Sequence, residues 1–354
     1  MDVRLDAEQK ALRDAAAQIV RDLGPKAVGD LDDEGRAAKL DAAVAAAGWR
    51  ELRAPAEESA GAGAAPLASA VEVGIVAEAL GWGVADTAFV GPTLAAELRR
   101  LAGAPASEAP ETVALTPDLS ALAVLATPGP RDGGRAVAID AAGATQALVL
   151  LPSDQSRPGH TLATVSLSGE VHDNAVVDLT RTSLPVAAGA TATPVDGAGP
   201  LDDEALTRWT ALALAVTAAD LVGTMASATE LARAYAVDRH QYGVAVGSFQ
   251  AVQHLLADAF TLAEGARSAA LHAAWAVDAL DPAEALAAGA VAKAYAARHA
   301  RTACETAIQV HGGIGNTWEC LAHVHLRRAL VSTELAGGEG ANLDRVLTHL
   351  GIDA

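Results

Sequence analysis

A glycine-rich segment near the end of the chain carries backbone that could bind a phosphate group. Residues 309–315 read QVHGGIG and follow an Ala-rich stretch with the apolar spacing of a helix. Exposed N–H groups beside a helix end attract anions. Two nucleotide-binding fingerprints do not fit, because GxGxxG needs a preceding strand and the P-loop needs Gly-Lys-Ser/Thr, whereas Asn316 follows here. From this segment alone, Gly312 and Gly313 are explained as well by ending a helix as by binding an anion.

A second polar segment, RHQYG at residues 239–243, separates two stretches with helical spacing. Arg239 in isolation is typical of a solvated loop charge, and Gln250 and Gln309 are typical of polar residues at helix ends. Ser248 is a candidate N-cap of the helix that begins near Gln250. No one of these residues indicates a binding site without the others.

Composition excludes several classes of protein. With 354 residues, the chain predicts two or three structural units. A net charge of -19 argues against a nonspecific nucleic-acid binder. Cys304 and Cys320 are the only cysteines, so a disulfide framework is not expected. The start lacks the apolar core of a signal peptide, and the most apolar run carries Asp220, so we expect no membrane span and a cytoplasmic protein.

The periodicity of the chain predicts three regions. Residues 1–112 show helical spacing, with a capping box at Asp6 and Gln9. Residues 113–200 contain short alternating runs separated by turn residues, which predict an antiparallel β domain. Residues 201–354 again show long helices; DPAE at 281–284 and NTWE at 316–319 are predicted helix starts.

The order of these regions, together with RHQYGVAVGSFQAVQHLLAD at 239–258 and QVHGGIGNTWE at 309–319, resembles the acyl-CoA dehydrogenase family of flavoproteins. The family pattern is Arg-x-x-Phe/Tyr-Gly, a Gln at the start of the next helix, and Gln-x-x-Gly-Gly-x-Gly. The resemblance implies an α+β, mostly α fold with an N-terminal helical domain, a middle antiparallel β domain and a C-terminal four-helix bundle.

The resemblance also implies FAD as the cofactor, held mainly by the neighbouring subunit. In that case Arg239 would reach the pyrophosphate of FAD, a task that suits a bidentate guanidinium. The glycine turn would let backbone approach the adenosine diphosphate half, Tyr242 would pack near the flavin, and Gln250 would hydrogen-bond it. The implied cofactor-facing residues are Arg239, Gln241, Tyr242, Gln250, Gln309, Val310, Gly312 and Gly313.

The reaction of this family needs a Glu that removes the α-proton of an acyl thioester. The two family positions for this base correspond here to Ala336 and Leu214, and neither side chain can take a proton. No residue is therefore assigned as catalytic. A shifted alignment leaves Glu334, Glu339 and Asp220 as alternative bases.

Two segments that contact flavin and thioester in the family are reduced here to residues 54–63 and 125–137. The half of a site that this chain would offer its own flavin is thus eroded, while the half lent to a neighbour is kept. His311, His323 and His325 lack the carboxylate or Cys partners of a metal site, so no metal is expected.

The resulting hypothesis is a non-catalytic subunit of an α2β2 acyl-CoA dehydrogenase of the type linked to steroid and cholesterol side-chain breakdown. Its implied partners are a homologous catalytic subunit, an acyl-CoA bound by the complex, and electron-transferring flavoprotein as acceptor. Two alternatives stay open from the sequence: a self-sufficient homo-oligomer with a relocated base, and a flavin-free scaffold on the same fold.

Overall fold

The computed structural model describes residues 4–56, 61–125, 136–152, 159–167, 177–187 and 189–352. Its N-terminal helices are α1 (Ala7–Leu23), α2 (Glu34–Ala46), α3 (Ala70–Trp82) and α4 (Val90–Ala102). The predicted capping box begins α1, because the Asp6 carboxylate accepts from Gln9 N at 2.8 Å and the Gln9 side chain accepts from Asp6 N. The carboxylate of Asp140 accepts from the backbone N–H groups of Phe89 and Val90 and so fixes the start of α4.

The middle of the chain forms a mixed sheet. Its strands are β1 (Glu111–Leu115), β2 (Val137–Ala138), β3 (Gln146–Leu151), β4 (Thr161–Ser166), β5 (Leu184–Pro185) and β6 (Thr193–Pro194), in the order β5-β2-β1-β3-β4-β6. The prediction of an antiparallel sheet is wrong at one pair: β1 and β3 are parallel. The chain passes through β2 on the far side of β1 before it returns, so β3 runs in the same direction as β1.

Five helices follow the sheet in the described part of the chain: α5 (Asp203–Asp238), α6 (Gln250–Ala279), α7 (Pro282–His311), α8 (Ala322–Glu334) and α9 (Glu339–His349). α5 to α8 form the predicted four-helix bundle, and α9 packs on α7. Asp281 caps α7 as predicted, with Pro282 at the first helical position. Ser248 does not cap α6; its hydroxyl donates to the Ala245 carbonyl, and Phe249 is the N-cap.

α5 is the central element of the core, with α3, α6, α7 and α8 packed around it. It is long and apolar enough to cross a membrane, with mean hydropathy 1.6 in its most apolar window, yet 89% of that window is buried inside the fold. Its apolar character therefore belongs to a core helix.

A buried ionic cluster joins α5 to α8 and to the segment that precedes β5. Asp220 is 1% exposed, and its carboxylate accepts from Arg328 at 2.7 Å and from the Ser332 hydroxyl at 2.7 Å. Arg181 Nη2 lies 2.6 Å from the same carboxylate.

The fold class predicted from the sequence is confirmed, whereas the domain limits at residues 112 and 200 stay a prediction.

Candidate cofactor-facing site

The two motif segments meet at one end of the helical bundle. Because α6 runs back along α5 and α7 runs back along α6, the end of α5, the start of α6 and the end of α7 lie together. The rings of Tyr235 on α5 and His311 on α7 stack at 4.4 Å between centroids. This contact places Arg239, one turn after Tyr235, and Gly312, the residue after His311, at the same end of the bundle.

RHQYG forms a two-stranded hairpin of β7 (His240–Gln241) and β8 (Val244–Ala245). Tyr242 and Gly243 form its turn, with φ of +52° and +82°. The left-handed region costs a non-glycine residue roughly 1–2 kcal/mol, and the Tyr242 side chain is 97% exposed. The fold thus holds an aromatic ring in a strained conformation with almost no contacts inside the chain. Strain of this kind concentrates at functional sites.

Arg239 is anchored through its backbone and free at its side chain. Its N–H donates to the Tyr235 carbonyl at 2.9 Å, and its own carbonyl accepts from Val246 N at 2.8 Å. Within the described residues, its exposed guanidinium makes no hydrogen bond or ion pair. Other exposed arginines of the described residues are paired on their helices, as Arg233 is with Glu230 and Arg301 with Glu305. The free guanidinium is available to an external anion.

The glycines of the 309–315 segment differ in whether the fold itself requires glycine. Gly312, with φ +66°, ends α7, so the helix-terminating interpretation holds for that residue. Gly315 is required by close packing, since a Cβ there would lie 2.8 Å from the Ile308 carbonyl oxygen. Gly313 has neither reason: its φ is not left-handed, and nothing lies within 4 Å of an added Cβ. A bare backbone at an open surface permits close approach of another molecule.

The remaining predicted residues lie on the same end of the bundle. Gln250 is the first residue of α6 and Gln309 lies in the last turn of α7; both side chains are exposed. The Gln241 amide donates to the His240 carbonyl at 2.8 Å. Val310 is half-buried and packs against the core, so a cofactor would meet its backbone rather than its side chain.

Sequence reasoning missed the support behind this surface. His311 is buried, and its Nδ1 lies 2.8 Å from the Ala307 carbonyl oxygen. Burial alone would lower the pKa of His311, but its hydrogen bond with the Cys320 thiol raises that pKa above the ordinary value. Aromatic and His residues on different helices give no local signal of a stack such as that of Tyr235 and His311.

The predicted capping box at 316–319 is wrong, since Gly312–Asn316 forms a 3-10 turn and α8 begins only at Ala322.

The two family base positions lie in a closed region. Leu214 is 0% exposed and Ala336 is 4% exposed. Ala336 N donates to the Leu119 carbonyl at 2.8 Å, and Arg345 donates to the Ala336 carbonyl at 2.7 Å. The fully buried ammonium of Lys293 donates to the carbonyls of Ser332 and Leu335. Neither position presents an acid, and both backbone groups of Ala336 are already paired.

The alternative bases differ in accessibility. Burial alone would raise the pKa of Asp220, but the guanidinium groups of Arg181 and Arg328 hold it well below its usual range. Such a carboxylate is a weak base, and it is enclosed by its partners. Glu334 is exposed at the end of α8. Glu339, the first residue of α9, lies 3.4 Å from Arg298.

Most of the reduced segment 125–137, and residues 57–60 of the segment 54–63, lie outside the described residues.

Comparison with known proteins agrees with this architecture. Residues 210–351 match the sequence profile described as acyl-CoA dehydrogenase, C-terminal domain. The acyl-CoA dehydrogenase FadE34 of Mycobacterium tuberculosis is 43% identical over 143 residues, which are 40% of this chain and 20% of FadE34. The chain thus matches only a fifth of that relative's length.

Two solved structures share the fold over nearly the whole chain. The Tcur3481-Tcur3483 steroid ACAD G363A variant is 25% identical, with a TM-score of 0.77 over 97% of this chain and 98% of its own. The ChsE4-ChsE5 complex of Mycobacterium tuberculosis is 22% identical, with a TM-score of 0.77 over 100% of both chains. The chain therefore has the acyl-CoA dehydrogenase fold with an acyl-CoA dehydrogenase C-terminal domain, and it resembles the steroid-type members of that family.

Proposed function

We propose that this chain is the non-catalytic subunit of a heteromeric FAD-dependent acyl-CoA dehydrogenase, and that it completes the cofactor site of a catalytic partner. The observation that carries the proposal is a contrast within one chain. The side chains of Arg239 and Tyr242, which would face a neighbour's FAD, are exposed and make no hydrogen bond with the described residues, whereas both positions for a catalytic Glu are apolar and buried.

The residues at the open end of the bundle fit FAD by their chemistry. FAD, when bound, accepts a hydride from the β-carbon of an acyl thioester. The free guanidinium of Arg239 suits the pyrophosphate, because two parallel N–H donors match two phosphate oxygens. The unshielded backbone at Gly312 and Gly313 admits the adenosine diphosphate half, and Gln250, Gln309 and Gln241 supply amide donors and acceptors around it. Tyr242 would pack near the flavin and exclude water there.

The α-proton would be removed by a carboxylate of the partner, since this chain offers none at the two family positions. The partner we propose is a homologous acyl-CoA dehydrogenase with an intact Glu, assembled as α2β2. Each of the two similar structures is named after a pair of proteins, Tcur3481-Tcur3483 and ChsE4-ChsE5. The first of these structures is described as a steroid ACAD. An acyl-CoA with a steroid-derived side chain, electron-transferring flavoprotein as acceptor and a cytoplasmic location belong to the same proposal.

Two other functions are less well supported. A self-sufficient enzyme would need Asp220, Glu334 or Glu339 as base. The Asp220 carboxylate already forms ion pairs with two guanidinium groups. A flavin-free scaffold would not need an exposed tyrosine in a left-handed conformation or an unpaired Arg239.

Co-expression tests the proposal. The chain is expressed alone and together with a homologous chain that carries the Glu, ideally from a neighbouring reading frame. Each preparation is analysed by size-exclusion chromatography, flavin absorbance and acyl-CoA oxidation with an artificial electron acceptor. We expect the chain alone to be inactive and poor in flavin, and the complex to be active. Robust turnover of an acyl-CoA by the homogeneous isolated chain would overturn the proposal in favour of the self-sufficient enzyme.

A further inference from the structure

Trp318 lies just beyond the glycine segment and is 64% exposed, although tryptophan is among the largest apolar side chains. The backbone between them is compact: the N–H and the hydroxyl of Thr317 both donate to the Ile314 carbonyl, at 3.0 and 2.8 Å. Cys320 N then donates to the Thr317 carbonyl at 3.2 Å. The indole is therefore carried by the same short turn that presents Gly312 and Gly313.

The indole is also oriented by neighbouring side chains. The ring of His323 meets it edge-on, with 5.1 Å between centroids and an interplanar angle of 80°. The guanidinium of Arg327 lies 5.8 Å from the indole centroid, and Arg327 Nη1 donates to the Val177 carbonyl at 3.3 Å. These two contacts hold the indole in place while most of its surface stays exposed. Core packing does not account for the position of the indole, because Trp318 belongs to none of the described core clusters.

We propose that the indole of Trp318 stacks on the adenine ring of the FAD bound at this site. The inference rests on the proposed function and gives a role to a residue of the 309–319 segment that the resemblance left without one. Every base has a π-face, and stacking on an aromatic side chain is a common way to hold it. The Arg327 cation strengthens the platform on the electron-rich ring. Arg239 and the glycine turn then hold the phosphates, while Trp318 holds the base.

Adenine also occurs in coenzyme A, so the experiment must separate two sources. FAD is favoured because Trp318 follows the glycine turn on one continuous segment. The measurement uses the complex with its catalytic partner, stripped of flavin. Dissociation constants are determined for FAD and for FMN, which lacks the adenosine half, and for coenzyme A against pantetheine.

Three variants are compared with the wild type: Trp318→Ala, Trp318→Phe, and Phe260→Ala as a control for loss of an exposed aromatic side chain elsewhere. We expect Trp318→Ala to weaken FAD binding about 5- to 140-fold, the range for loss of one stacked base. FMN binding should be unchanged, Trp318→Phe should retain FAD within a few-fold, and Phe260→Ala should bind both flavins as the wild type does.

Each contrary result has a distinct meaning. Unchanged FAD affinity in Trp318→Ala overturns the inference and leaves the proposed function standing. An equal loss of FAD and FMN affinity shows a structural role and also overturns it. A loss confined to coenzyme A assigns the platform to the substrate's adenine instead. A wild-type complex that binds no FAD overturns the proposed function itself.

Discussion

Two regions along α7, one around Lys293 and one around its last residue, His311, differ in how their polar groups are paired. Lys293 and His311 are separated by 18 positions in α7, or about 27 Å along the helix. Around Lys293, side chains from other helices pair the backbone of residues 335–338 and close the region. Around His311, the ring stack with Tyr235 supports a surface where the side chains of Arg239 and Tyr242 make no hydrogen bond with the described residues. The first region is paired within the chain, and the second is the one that we propose to be completed by another molecule.

The largest expected effect breaks the closed region. Asp220→Ala leaves Arg181 and Arg328 buried without their counter-charge, and losing one partner of a buried ionic group costs about 3–5 kcal/mol. Urea unfolding should show this loss in the isolated chain. Glu230→Ala is the matched control, since its pair with Arg233 is largely exposed and should contribute less than about 1 kcal/mol. Equal losses in both variants would contradict the distinction between closed and open regions.

Arg239→Ala tests the open end and should leave stability unchanged. If the guanidinium binds the pyrophosphate, the variant loses a charge-assisted hydrogen bond of about 1.5–3 kcal/mol. FAD affinity of the complex should then fall roughly ten- to hundredfold. Arg301→Ala is the control, because Arg301 is 67% exposed and paired with Glu305 on the outer side of α7. Undiminished flavin in an intact Arg239→Ala complex would remove the main support for a cofactor-facing hairpin.

The sequence predicted what depends on neighbours along the chain. The capping residues Asp6 and Asp281 interact with positions two or three residues away, so both helix starts followed from local spacing. The parallel β1–β3 pair was missed because strand direction depends on a connection through β2. The partners of Asp220 were equally out of reach: Arg328 lies 108 positions further along the chain.

The candidate cofactor-facing residues could be proposed from the sequence because the family motifs lie in consecutive residues. The residues that support them could not, because they come from separate helices. The Tyr235–His311 stack joins the ends of α5 and α7, and no spacing within either helix indicates it. Ser248 shows the same limit at short range: a good N-cap residue type was displaced by one position, because its hydroxyl is satisfied by the Ala245 carbonyl.

Lys293 gives the closed region a pH dependence. Burial lowers the pKa of its ammonium to about 7, although Asp220 and Glu334 favour the charged form and Arg181 and Arg345 oppose it. Between pH 7 and the ordinary lysine pKa, the unfolded chain binds a proton that the folded chain has released. The free energy of unfolding therefore gains a contribution that increases with pH, on the order of 2 kcal/mol from pH 7 to 9. The Lys293→Met variant should lack this increase. The measurement is the free energy of unfolding in urea for both proteins from pH 7 to 9, and the same pH dependence in both would contradict the prediction.

The smallest expected effect sharpens the comparison, because it should have opposite signs in the isolated chain and in the complex. Tyr242 holds a left-handed conformation at the first turn position of a hairpin whose second is Gly243, and asparagine is the residue best suited to that place. Tyr242→Asn should raise the free energy of unfolding of the isolated chain by up to about 1 kcal/mol, since strain is relieved and almost no contact is lost. In the complex, the same variant should weaken subunit association or FAD retention, because the ring that covers the site is gone. Val237→Asn is the control, because it also replaces an exposed apolar side chain by asparagine. A variant that is more stable alone and assembles as well as the wild type would show that the strain at Tyr242 serves no second molecule.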